Sequence, residues 1–487
     1  MKNEKLYDAI TGIRPDLTDE ARNHVVKKSR GARKWWVAGI AVAMAVIIVA
    51  GVAIWPGKTP LVSSAYALEE AVYPTTLKYP DYRDYTRPNG EVDDDAWEQA
   101  YEAWKESCKD LYVDADIRLA DFFTAVSRQL LMNNDKQNTV CSPVNIAVAM
   151  GMLAETTGGE TRQQILDMMG VDTIEQLREQ TSAVWKNCYR DDGTALSVLA
   201  SSLWLRDGYD YNADTLKQLA ETYFASSYKG EMGSEDYNKA FRAWLSEQTG
   251  GLLDDQVNGL ELDPMTVLAL ATTVNYQAKW EIPFDPSKTD TGVFHGADHD
   301  AEYTFMHMEM HMTYYWGEKF GAIRLSLNSS DRHGNGGMWL LLPDEGVTPE
   351  ELMNDPEAMG FLSSYNTWSN TAYTRVKLSV PAFDVAGQTD LRDAMKALGV
   401  TDVFTDKADF SPLTDEKGIF VGSAPHGVRV TIDEEGCKAA AFTVIELCGA
   451  AIPEGTVEFT LDRPFLFAVT TSAGLPLFEG IVNQLGE

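Results

Sequence analysis

Gly436-Cys437-Lys438-Ala439-Ala440-Ala441-Phe442-Thr443-Val444-Ile445 is the stretch on which the fold turns. It lies between two strand-like runs, Val428 to Ile432 and Val457 to Leu461, is rich in small residues, and lacks the Pro and Asn that fix a loop in one shape. As a strand, its period of two would put Cys437, Ala439, Ala441, Thr443, Ile445 and Leu447 on one face. Lys438, Ala440, Phe442, Val444, Glu446 and Cys448 would lie on the other, so both charges share that second face. The first face is uncharged and mostly small, and can be buried as a middle strand. The segment therefore reads as a loop with a latent strand pattern, while a plain surface connection between strands is the alternative that pattern alone leaves open.

The chain around it alternates helical and extended signals. Leu119, Phe122, Phe123, Val126 and Leu130 recur at helical intervals, and Ser142-Pro143 opens a further helix with Pro where a missing N–H costs nothing. Ser197 to Leu205, Met338 to Leu342, Val376 to Phe383 and Phe465 to Thr470 read as strands with turn residues between them. The plan is α+β, with mixed, mostly antiparallel sheets surrounded by helices.

With 487 residues, 44% hydrophobic and 23% charged, the chain can bury a large core, which excludes a mostly disordered, collagen-like or multi-span membrane protein. A net charge of −32 repels phosphate backbones, so no nucleic-acid partner is expected. Five scattered cysteines without CxxC pairs suggest neither a disulfide framework nor a zinc cage. GxSxG and HExxH motifs are lacking, so the chain does not read as an enzyme. His307 and His311 sit in a strand-like run where methionines alternate with them, ~13 Å apart at ~3.3 Å per residue, too far to share an ion. Neither metal nor cofactor is expected.

Residues 1–34 carry nine Lys/Arg against five Asp/Glu, whereas Val37 to Ile54 contains no charge and is framed by Trp35, Trp36 and Trp55. At ~1.5 Å per residue this framed stretch matches a ~30 Å hydrocarbon core, and the basic residues before it predict a cytoplasmic N-terminus. The expected organisation is a cytoplasmic basic segment (1–34), a transmembrane helix in contact with the lipid bilayer (35–56), an extracellular Pro- and Tyr-rich spacer with a short helix (57–112), and a large domain (113–487). Ala65-Tyr66-Ala67 resembles a cleavage site, which leaves a secreted or shed form as the alternative.

Several segments carry a family resemblance. "TVCSPVNIAVAMGMLAETTGGETRQQIL" from Thr139, "WLSEQTGGLL" from Trp244, "VNYQAKWEIPFDPSKT" from Val274, "LGVTDVFTDKADFSPLT" from Leu398, "HGVRVTIDEEGCKAAA" from His426 and "FTLDRPFLFAV" from Phe459 resemble serpins, in order and at the family's spacing. The resemblance implies the serpin fold with an exposed reactive-centre loop. It implies a monomeric suicide inhibitor whose partner is a target serine protease, held in a covalent complex when the cleaved loop inserts into the main sheet. A non-inhibitory serpin acting as a cell-surface binding scaffold is the alternative.

By the same resemblance Glu434, Glu435, Gly436, Cys437, Lys438, Ala439, Ala440 and Ala441 form the hinge. The family's loop length puts the reactive bond between Ala450 and Ala451, seventeen residues on from Glu434 counted inclusively. A small, uncharged Ala450 suits an elastase-like or subtilisin-like target. Ser142 and His426 resemble the polar switch beneath the opening sheet, and Trp280 the tryptophan under its top. Asn145 and Thr272 stand where the family has Ser and Asn, which puts the hydrogen-bond network there in question.

Overall fold

A fourteen-residue helix, Pro143–Thr156, is buried along its whole length in the computed structural model, which describes residues 64–487 apart from 88–89, 112, 114–115, 133–135, 329–334, 423, 438–454 and 487. Pro143 takes the first helical position, and Val144, Ile146, Val148, Met150 and Met152 leave no polar stripe to face water. Such a helix must be covered on every side, and the sheets and neighbouring helices cover it.

Ten strands position the site. In chain order they are β1 (Ala67–Glu69), β2 (Ala195–Arg206), β3 (Ala225–Gly230), β4 (Leu268–Trp280), β5 (Asp300–Trp316), β6 (Phe320–Asn328), β7 (Thr371–Pro381), β8 (Asp384–Asp390), β9 (Pro425–Thr431) and β10 (Gly436–Cys437). In the main sheet β3 runs parallel to β2, and β2 antiparallel to β4 from Ala195 opposite Ala278 to Leu205 opposite Leu268. β2 is buried on both faces along nearly all its length, its three serines included. At its C-terminal end β4 turns into a second sheet through β6, with Lys279 opposite Asn328 and Trp280 opposite Leu327. Among the described residues β8 and β9 pair only with each other, from Asp384 opposite Thr431 to Asp390 opposite Pro425. A seam without ladder hydrogen bonds therefore separates β4 from β9 among the described residues.

The stretch expected to be an extended spacer departs from that expectation where the structure describes it. β1 pairs with β3 at the edge of the main sheet, Ala67 opposite Tyr228. Tyr73 stacks on Trp185, Tyr189 and Phe224 at 5.9, 6.2 and 6.1 Å, and Tyr189 donates its hydroxyl to the Pro74 carbonyl at 3.0 Å. Tyr79 N–H donates to Asp192 O at 2.8 Å. The reason is apolar area, because a tyrosine-rich segment gains more by covering aromatic residues than by standing free in water. The helix after it, Asp94–Cys108, begins at Asp93, whose carboxylate accepts from Ala96 N–H, and it buries Trp104 and Cys108. No helix among the described residues is long and apolar enough to cross a membrane, and residues 35–56 lie outside them.

Candidate functional site: the hinge and the seam beneath it

β9 ends at Thr431 and the chain reverses at Asp433, whose own side chain builds the turn. Its carboxylate accepts from the N–H groups of Glu435 at 2.9 Å and Gly436 at 3.1 Å, and its N–H donates to Gly436 O at 3.0 Å. This local bonding is what makes Asp an effective reverser of the chain. Three donors from the end of β4 and just beyond it grip the outside of the turn. Trp280 gives its indole N–H to Asp433 O at 2.8 Å and its backbone N–H to Glu435 O at 3.0 Å, while Phe284 N–H bonds Glu434 O at 3.0 Å. Thr289 adds a hydroxyl to the Glu434 carboxylate at 2.8 Å.

Past the turn, Gly436 lies opposite Lys279 and Cys437 opposite Ala278, antiparallel to β4. Gly436 and Cys437, the third and fourth residues of the hinge, are thus already paired with the main sheet, at the mouth of the seam. Residues directly opposite in a ladder share a face, and Cys437 lies with Ala278 on the buried side, 4% exposed. Burial, assisted by the nearby Asp433 charge, pushes its thiol up to about 12. Lys438, Ala439, Ala440, Ala441, Ala450 and Ala451 lie outside the described residues.

Further along the seam, His426 is buried and its Nε2 accepts the Ser142 backbone N–H at 3.1 Å. An accepting Nε2 requires the neutral ring, and burial holds the pKa down to about 4. The Ser142 hydroxyl and both polar atoms of the Asn145 amide are buried without a hydrogen-bond partner. Thr272 stands half-buried opposite Ser201 on β2, and no hydrogen bond joins it to His426. The structure thus brings His426 onto Ser142 and leaves the two family-variant positions outside that bond.

Residues that sequence reasoning did not single out complete the seam. Arg429 on β9 donates from Nε to Asp384 Oδ1 at 2.9 Å and from Nη2 to Oδ2 at 2.6 Å, and Nη1 reaches the Leu252 carbonyl at 3.3 Å. Leu252 follows the helix Glu235–Gln248. It lines small cavities in the seam with Val274, Tyr276, Arg429, Cys437 and Phe478. Thr273 Oγ1 and Asn275 Nδ2 on β4 are buried without partners. The signal available in the sequence was Arg429 itself, the lone charge in the strand Pro425–Thr431.

A family model described as Serpin (serine protease inhibitor) matches residues 118–485. Neuroserpin of Rattus norvegicus is 28% identical over 389 residues, covering 75% of this chain and 91% of that protein. Alpha-1-antitrypsin of Meriones unguiculatus is 27% identical over 376 residues, covering 75% and 89%. Among solved structures, native tengpin, a thermophilic serpin, superposes with a TM-score of 0.67 at 25% identity, covering 76% of this chain and 94% of tengpin.

Proposed function

The chain belongs to the serpin family, and from that premise we propose that it is a suicide inhibitor of extracellular serine proteases with elastase-like or subtilisin-like specificity. The family is one of protease inhibitors rather than enzymes. In this reading the protease's serine oxygen bonds the Ala450 carbonyl carbon and the Ala451 amine departs, leaving the loop esterified to the enzyme. The freed loop then runs into the seam between β4 and β9 and carries the enzyme with it. Inhibition succeeds when insertion outruns hydrolysis of the ester.

The observation that carries the proposal is the pairing of Gly436 and Cys437 with β4 at the mouth of a seam that lacks ladder bonds. Continued in the same register, the loop would set Ala439 opposite Tyr276 and Ala441 opposite Val274, with Lys438 and Ala440 on the outer face. Each ladder hydrogen bond gained contributes roughly 0.5–1.5 kcal/mol, and the small side chains of Ala439 and Ala441 add little bulk or rotamer entropy to slow the strand. The seam opposes this with a cross-tie, because Arg429 must give up Leu252 before the cover lifts. The uncharged segment Val37 to Ile54 and the basic residues before it support placing the inhibitor on the outer face of a cell membrane.

The test is incubation of the purified protein with elastase, subtilisin and trypsin, followed by denaturing electrophoresis. A covalent complex with elastase or subtilisin, but not with trypsin, is the expected result. Cleavage of the loop by every enzyme with no complex would sink the inhibitory reading.

A further inference from the structure

Trp280 also lines a cavity of about 250 Å3 that is open to solvent on one side. Met308, Met310 and Met312 project into it from alternate positions of β5, with the Tyr315 ring beside them. Thioethers are unbranched and polarisable, so a surface made of three of them moulds itself to flat aromatic bodies that a branched aliphatic wall would fit poorly.

The lining also holds one cation. Arg324 on β6 donates from Nη2 to Asn335 O at 2.6 Å and from Nη1 to the Ser326 hydroxyl at 3.4 Å, whereas its Nε is buried with no acceptor. Neither bond neutralises it, and no carboxylate is paired with it among the described residues. Glu281, also at the lining, is exposed to solvent. A guanidinium with an unused donor beside three thioethers and the Tyr315 ring is complementary to an anion carried on an apolar body.

We propose that this cavity binds a small aromatic carboxylate, its carboxylate on Arg324 and its ring system against Met308, Met310 and Met312. The site is coupled to the hinge because Trp280 serves both, lining the cavity while holding Asp433 and Glu435 through its two N–H groups. An occupant fixes Trp280 in the position that keeps β10 on β4. It therefore favours the paired hinge by mass action, and at a hundred times its dissociation constant it suppresses opening by up to about 100-fold.

The probe is 2-naphthoate, titrated calorimetrically into the full-length protein. Expected are one saturable site, affinity at least about ten-fold above that of the uncharged analogue 2-hydroxymethylnaphthalene, and at least about ten-fold loss in Arg324→Met. Met310→Trp fills the cavity while leaving the cation and should abolish binding. If Arg324→Met does not fold, the uncharged analogue on the wild type tests the same contact. Coupling is read by peptide-resolved alkylation of Cys437, which naphthoate should slow several-fold in the wild type and not in Met310→Trp. Lack of saturable binding, or binding indifferent to the charge and to Met310→Trp, would overturn the site. Binding that leaves Cys437 labelling unchanged would overturn the coupling. Neither reading depends on whether the protein traps a protease.

Discussion

A methyl group placed on Gly436 would stand 2.4 Å from the Ala278 carbonyl oxygen and 2.6 Å from the Cα of Lys279. Both are backbone atoms of β4, so no side chain can swing aside, and only glycine lets β10 lie this close. Gly436→Ala should weaken the pairing by about 1–3 kcal/mol, as overpacking does elsewhere. The expected result is faster alkylation of Cys437 and a protein that is cleaved more often than it traps. Labelling and trapping at wild-type levels would show that the two backbones are farther apart.

Cys437→Arg forces a long cation onto the buried side opposite Ala278. An unpaired buried charge costs several kcal/mol, enough to delay insertion until hydrolysis has released the protease. Electrophoresis should show a cleaved chain and no complex. Equal complex yield in variant and wild type would mean that Cys437 does not face inward during insertion.

His426 gives stability a pH dependence. Its pKa falls from 6.5 unfolded to about 4 folded, so the unfolded chain binds more protons between these values. The contribution is complete above pH 6.5, is lost as pH falls toward 4, and amounts to a loss of about 2 kcal/mol at pH 5. Unfolding in urea at pH 7.5 and pH 5 should show this difference between wild type and His426→Gln, whose amide oxygen can still accept from Ser142. Parallel pH profiles in the two proteins would be incompatible with a buried neutral ring.

Intact mass of the fragment released from an elastase complex should give a new N-terminus at Ala451. A start at Cys448 or Gly449 would shift the loop's register. Ala450→Arg should transfer inhibition to trypsin-like enzymes, whose buried carboxylate then finds a partner. Failure to gain trypsin would place the reactive bond elsewhere.

Protease added to intact cells should remove the large domain and leave a small membrane-bound fragment, as the basic residues before Val37 predict. A domain that stays protected in intact cells would reverse the topology. Ala67 bears on the shed form, since it stands in β1 and a cut after it would divide that strand.

Much of this was legible because it depends on local pattern. The alternation through Val428 and Val430 yielded β9, and Ser142-Pro143 opened the buried helix where expected. The small residues of Gly436 to Ala441 gave a loop with a latent strand pattern, and its reading as a hinge came from the family resemblance. What stayed hidden depends on distant partners. The stretch around Tyr73 looked like a spacer because Pro60, Pro74, Pro80 and Pro88 dominate its local signal, while the rings that receive Tyr73 lie beyond residue 180. The Arg429 tie to Asp384 and Leu252 joins three segments that no local window contains. Gly436 was legible as one of the expected hinge residues, but its tight fit against Ala278 is a property of the pairing.

Ala71 N–H bonds the Ser226 hydroxyl across 155 residues of chain. During synthesis the segment around Tyr73 therefore leaves the ribosome well before β3 and Phe224 exist to receive it. At ~5–20 residues per second it must wait roughly 8–30 s, with its tyrosines available to other proteins. Docking of this segment is consequently a late step, and protection of Tyr73 from proteolysis in nascent chains marks the moment at which the edge of the main sheet has formed.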